Sequence, residues 1–287
     1  MAIKKDEQEI LRTVTSVSGG KSSAYMALHY PTDHYVFAAV LTKDKNAIPK
    51  DEGLLRECQN KLPQFEASRE LDQTLLNLFS LEQELGQAVE WTAAQITYDD
   101  LIDTGMLPNR LTRTCTHQLK LEPIFWHCYL NYYDGELPLL MNIGFRSDEG
   151  KRVERMGDCK HSKYKFSPHC DLSGQFAGKH RWIELDWRIN SFPMWENDIS
   201  KSEVVNFWLE KGWVFPQISN CDGCFFHRPQ ELWYQYQTYP ERMQWWADQE
   251  EKLGVTFNKE QSYERIFSDQ PLFDVRVDKD EACNCTD

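Results

Sequence analysis

No apolar run in the 287-residue chain approaches the length of a membrane-spanning helix. The amino-terminal MAIKKDEQEILR has no apolar core of the kind a secretory signal needs. The chain therefore reads as a soluble, intracellular protein, cytoplasmic and without a membrane partner. Positive charge is not in excess either: the formal net charge is −13, which argues against non-specific wrapping of nucleic acid. The nine cysteines are an odd number without a secretion signal, which disfavours a disulfide framework. Metal ligation or thiol chemistry is the better reading for some of them. Cys58 and Cys128 fall in helical-looking stretches and read as packing residues. A hydrophobic content of 41% with 13% aromatics supports a packed core rather than disorder.

Five short strand candidates alternate with helical stretches, near Val14–Val17, Tyr35–Leu41, Val89–Thr92, Leu139–Ile143 and Trp182–Leu185. The helices are expected near Ser22–Tyr30, Ser68–Leu85 and His117–Asn131. This order predicts an α/β fold with a doubly wound, mostly parallel five-stranded sheet. Ligands of such sheets bind at the carboxyl ends of the strands. The expected nucleotide-binding domain covers residues 1–195. Within it, 43–63 reads as an insertion or lid and 146–180 as a long basic substrate loop. From Arg146 to Lys165 there are seven Lys/Arg against four acids, so that loop could meet phosphate within an acidic protein. Residues 196–287 read as a helical carboxyl-terminal region with a helix over Lys201–Lys211, a cysteine turn at 221–224 and an aromatic helical run from Pro229 to Leu253.

The stretch TVTSVSGGKSS, residues 13–23, is a β-branched strand, a glycine turn and a helix start. It lacks the glycine spacing of a Walker A loop and of the dinucleotide fingerprint G-x-G-x-x-G. What remains is compact. Ser18, Gly19 and Gly20 turn the chain, Lys21 adds a cation, and Ser22 and Ser23 open the helix, which suits a pyrophosphate at a helix N-terminus. A tight turn that binds nothing is the bland alternative. Arg146, Asp148 and Glu149 follow an apolar strand and so belong at the same edge. Arg146 can grip phosphate or sulfate with its two-pronged fork, and Asp148 or Glu149 can hold Mg2+ or a ribose hydroxyl. A surface salt-bridge cluster is the alternative there. Arg113 and Lys120 are second candidates for an anion, whereas Trp245 and Trp246 read as helix packing.

S-G-G-K-S-S after an apolar strand resembles the pyrophosphate loop of the adenine-nucleotide alpha-hydrolase-like superfamily, whose members include ATP pyrophosphatases, tRNA thiolases and phosphoadenosine-phosphosulfate (PAPS) reductases. Ser22 stands where many members have Asp. Residues 68–79 (SRELDQTLLNLF) resemble the helix after the second strand in PAPS reductase-like proteins, 113–120 (RTCTHQLK) their cysteine segment, and 143–149 (IGFRSDE) their G-x-R-x-D-E signature. Residues 220–228 (NCDGCFFHR) resemble the cysteine turn of a phage-associated branch, for which the cytoplasm would be that of a host. The resemblance implies an adenine nucleotide, ATP or PAPS, with Mg2+.

Cys221 and Cys224 form a C-x-x-C turn able to grip one metal or a cluster edge, and Cys115 sits before a helix, where a thiolate is favoured. Half a zinc site and a dithiol redox pair are alternatives. The resemblance favours a [4Fe–4S] cluster on Cys115, Cys221 and Cys224, with Cys283, Cys285 or His227 as a fourth ligand, or with one iron left open for sulfide. Cys283 and Cys285 in the tail can also take up sulfur or act as reductant. Cys159, His161, His169 and Cys170 form a second candidate metal group, though not at a standard zinc spacing.

These readings imply an ATP-dependent sulfurtransferase acting on a nucleotide or nucleic-acid acceptor, with Lys21, Cys115, Asp148 and Cys285 in catalytic roles and a sulfur donor or thioredoxin-like reductant as partner. A PAPS or adenylyl-sulfate reductase releasing sulfite is the second reading. A non-catalytic nucleotide-binding iron–sulfur module is the third.

Overall fold

The computed structural model describes residues 12–133, 138–157, 161–166, 182–216, 221–259 and 261–269. The chain runs β1 (Thr13–Ser16), α1 (Lys21–His29), β2 (His34–Ala39), α2 (Glu52–Lys61), α3 (Asp72–Leu85), β3 (Val89–Ala93), α4 (Tyr98–Asp103), α5 (Thr114–Thr116), a π-helical turn (His117–Leu121), α6 (Glu122–Asn131), β4 (Leu139–Asn142), α7 (Gly150–Gly157), β5 (His161–Phe166), β6 (Ile183–Ser191), α8 (Pro193–Glu196), α9 (Lys201–Lys211), α10 (Pro229–Thr238), α11 (Pro240–Leu253) and α12 (Tyr263–Ser268). No described helix is long and apolar enough to cross a membrane.

The sheet order is β3-β2-β1-β4-β6-β5. β1 is central because its residues are short and β-branched and pair on both sides: Val14 is in register with His34 of β2 and Met141 of β4. From β1 the chain moves to β2 on one side and returns later to β4 on the other. The crevice beyond the carboxyl ends of β1 and β4 is therefore a topological switch point, the place where such sheets receive ligands. One face of the sheet is covered by α1, α2, α3 and α9, whose Met26, Cys58, Leu78 and Trp208 are buried together. The other is covered by α6, whose Phe125 and Cys128 meet Met141 and Trp187. The sheet is thus wound on both faces, as the alternation of elements predicts.

Four details differ from the sequence reading. The sheet has six strands, not five: β5 lies antiparallel to β6 inside the segment expected as a loop. The strand signal there is brief, Lys163 and Lys165 facing solvent while Phe166 on the alternate face is buried, and it lies in a basic stretch that otherwise has no pattern. Residues 68–71 are extended, not helical. Ser68 bridges Leu41, Glu70 bridges Cys221, and the Arg69 amide donates to the Val40 carbonyl at 2.9 Å, so α3 begins only at Asp72. The aromatic run is two helices, divided where Pro240 opens α11. Segment 43–63 contains α2, started by the Asp51 carboxylate, which accepts from the Leu54 amide at 2.8 Å, and anchored by buried Leu54 and Cys58. The carboxyl-terminal helices α10 to α12 form a further core around Trp246, Leu232 and Tyr263, packed against α4 and Val40.

Candidate functional site

The glycine loop leaves β1 at the switch point. Gly19 has φ +70, and a β-carbon there would lie 2.6 Å from Thr74 Cγ2 and 2.9 Å from the Thr74 carbonyl, so only glycine fits between the turn and α3. Ser23 is spent on the turn itself: its hydroxyl accepts from the Ser18 amide at 3.1 Å and donates to the Gly20 carbonyl at 3.1 Å. Gly20, the residue before α1, has no side chain with which to cap the helix, and a helix start of this kind is where an anion can bind. The carbonyl of Lys21 is pinned by Trp208 Nε1 of α9 at 2.9 Å. The carboxyl-terminal region thus braces the loop from behind.

Arg146, just beyond β4, crosses to the loop. Its Nη1 donates to Ser22 Oγ at 2.9 Å, and its Nε and Nη2 hold the two oxygens of Asp148, each at 3.0 Å. The side chain is only 6% exposed, so its fork organises the loop and would have to exchange partners to grip an anion directly. Asp148 is half-exposed and also receives the first amide of α9, from Lys201, at 3.2 Å. Burial would raise the Asp148 carboxyl, but hydrogen bonds and charge from Arg146 outweigh it and hold the group below the ordinary carboxylate value. Glu149 faces Arg152 at 2.5 Å, on the inner side of the same turn.

One cysteine and a distant C-x-x-C pair line a second cavity, beyond the carboxyl end of β2. Cys115, Cys221 and Cys224 share it with Val40, Tyr98, Thr116, Lys120, Phe225, Phe226 and Trp246. Tyr98 is fully buried, and its hydroxyl is held well above the ordinary value by burial first and then by proximity to Cys115, Cys221 and Cys224. The π-helical turn explains why Cys115 and Lys120 face the same space. At the roughly 100° per residue of an α-helix, positions five apart point about 140° away from each other; an i→i+5 turn brings them together, and such turns are frequent at functional sites. Lys120 also acts on buried Glu70, whose carboxyl burial raises and Lys120 lowers, the net effect being a raised value.

The expected cluster fits the chemistry of this donor set: three thiols, one cation and apolar walls. Among the described residues, no group of three or more His, Cys, Asp or Glu converges as a single metal ion requires. Zinc and a cluster alike would therefore require these side chains to rearrange. A cluster spreads its ligands around a volume. The cavity is narrow, about 20 Å³, so a cluster requires the walls to part. Cys283 and Cys285 lie outside the described residues, as do Cys159, His169 and Cys170. Cys58 and Cys128 are buried, with thiols pushed by burial to about 12, in keeping with packing roles.

Sequence reasoning missed the residues that hold the cysteine turn. Asp222, inside C-D-G-C, is buried and receives Arg242 Nε, Trp246 Nε1 at 3.1 Å and Arg69 Nη1 at 3.4 Å. Gly223 has φ +58, and a β-carbon there would meet the Trp246 ring at 2.2 Å. Trp245, expected only as packing, also carries the Arg69 guanidinium 3.8 Å from its ring centre. Arg242 lies beside Met243 and Trp246 in a helix that carries many other charges, so the sequence does not single it out. No family model matches the chain, and no curated protein gives a significant match to it.

Proposed function

We propose that the protein is a PAPS reductase-like, ATP-dependent sulfurtransferase that activates and thiolates a nucleotide or nucleic-acid acceptor with the help of an iron–sulfur cluster on Cys115, Cys221 and Cys224. The observation that carries this reading is the convergence of those three cysteines on one cavity at the same sheet edge as the glycine loop. α3 links the two: its start follows Glu70, which bridges Cys221, and its first turn presents Thr74 to Gly19.

The first-turn amides of α1 and Lys21 hold the nucleotide phosphates. Ser22, held by Arg146, fixes the loop's outer side. Asp148 is the carboxylate for Mg2+ and would share its oxygens between that ion and Arg146. The acceptor oxygen attacks the α-phosphorus of ATP and pyrophosphate leaves; a sulfur nucleophile then forms the carbon–sulfur bond as AMP departs with the oxygen. When bound, the cluster supplies the sulfide for that transfer. Cys115 lies in the opening turn of its helix, a position that favours thiolate chemistry.

The test is pyrophosphate release and incorporation of labelled sulfide into nucleotide or RNA acceptors by anaerobically reconstituted protein. Coupled release with labelled acceptor is expected. Sulfite from PAPS with a thioredoxin would turn the reading to the reductase. Tight ATP binding without turnover on any acceptor would leave only the regulatory module.

A further inference from the structure

We infer that Arg69 and Arg242, acting through Asp222, are positioning residues for the thiols of Cys221 and Cys224; this rests on the three-thiol site proposed above. Asp222 stands between the two thiols in sequence, yet it does not line their cavity. Its carboxylate faces a buried clamp. Arg242 donates through Nε to Asp222 and through Nη2 to the carbonyls of Ser68 and Glu70, each at 2.6 Å. Arg69 donates to Asp222 through Nη1 and, through Nη2, to Thr42 Oγ1 at 2.9 Å and Asp44 Oδ2 at 3.1 Å. The Asp222 amide returns a bond to the Arg69 carbonyl at 2.8 Å. The backbone of Gly223 is fixed as well: its amide donates to Gln235 Oε1 at 2.9 Å, and its carbonyl accepts from the Tyr263 hydroxyl at 2.5 Å. The amide and carboxylate of Asp222 and the amide and carbonyl of Gly223 are therefore tied to residues beside the end of β2 or to the helical region.

Stability alone does not call for this arrangement. The side chains of Arg69, Asp222, Asp44 and Arg242 are 0, 1, 5 and 7% exposed. Stripping charges of water costs about as much as their attraction returns, and apolar residues of similar volume often do as well. What apolar residues do not supply is direction. A planar guanidinium fork fixes its acceptors in angle as well as distance. Two forks meeting on one carboxylate set the orientation of the peptide segment that carries both thiols. Ligand-supporting residues of this kind act on metal affinity without touching the metal.

The test uses the full chain, purified anaerobically and metal-free, with Cd(II) as a thiolate probe read by its ultraviolet charge-transfer band. Arg242→Lys keeps the charge and loses the fork. The double variant Asp222→Leu/Arg242→Met removes one charge of each sign, leaves Arg69 paired with Asp44, and guards against simple unfolding of the first. Expected is an unchanged far-ultraviolet spectrum for the double variant with Cd(II) affinity about 10- to 100-fold below wild type, approaching Cys221→Ser. A folded double variant that binds Cd(II) as wild type does would overturn the positioning role and leave the thiol site standing. A wild-type chain giving no thiolate band that Cys221→Ser removes would overturn the thiol site itself, and the positioning role with it.

Discussion

Gly19 has no space for a side chain and sits at a backbone angle that side chains disfavour. Gly19→Ala therefore has to shift α3 or the loop, and the expected cost is about 1–3 kcal/mol, with ATP affinity reduced in step. Urea unfolding and an ATP titration check both; an alanine variant with wild-type values in each would mean that the turn tolerates another conformation. Arg146→Lys keeps a cation but cannot hold Ser22 and both Asp148 oxygens at once. A loss of about tenfold in ATP affinity is expected, of the size of one charge-assisted hydrogen bond, and isothermal titration reads it. At this scale the loop residues were legible, because a turn between a strand and a helix is written in adjacent letters. The clamp on Asp222 was not legible: Arg69 reaches Asp222 across 153 positions of chain, and Arg242, 20 positions from Asp222, is itself held across 172 positions by the Glu70 carbonyl, and nothing in a single sequence registers contacts of that range.

The elements at the opposite edge of the sheet contribute one part of the acid response. β2, β3 and α6 meet where Glu90 accepts from His34 Nδ1 at 3.0 Å and stands 3.0 Å from His127 Nε2, with the Tyr132 hydroxyl donating to the same carboxylate. Burial pushes the Glu90 carboxyl up, but the three hydrogen bonds prevail and hold it below its ordinary value. A carboxyl lowered on folding contributes stability above its unfolded value and loses it as the pH falls through the folded one. The chain is thus expected to lose stability in acid partly through this junction, and Glu90→Gln to flatten the acid limb of a melting-temperature profile. A profile for Glu90→Gln parallel to wild type throughout the acid range would rule that out. The strands of the parallel core were legible as elements because they are apolar and bounded by turns. β5 was not, since its short alternation of Lys163 and Lys165 with Tyr164 and Phe166 lies in a basic stretch that otherwise has no pattern, and the π-helical turn has no sequence signature that separates it from the helix around it.

At the scale of the whole molecule, the carboxyl-terminal helices complete both candidate sites. α9 braces the glycine loop through Trp208, which is almost fully buried, and α10 to α12 present Cys221 and Cys224 to Cys115. Trp208→Phe keeps most of the buried ring but drops the bond to the Lys21 carbonyl. It is expected to cost about 1 kcal/mol of stability and to weaken ATP binding more than Cd(II) binding, which separates the two sites in one variant. Equal losses at both would show instead that the variant disturbs the general packing. The alternation of strands and helices made the wound sheet readable; the way the last helices fold back on it depends on tertiary packing, which composition does not encode. The central claim is that Cys115, Cys221 and Cys224 act together on a cluster, and the most direct measurement is iron, acid-labile sulfide and zinc per chain in anaerobically purified wild type and Cys221→Ser. About four irons and four sulfides per chain, absent from the variant, are the expected result; stoichiometric zinc, or no metal in the wild type, would contradict it.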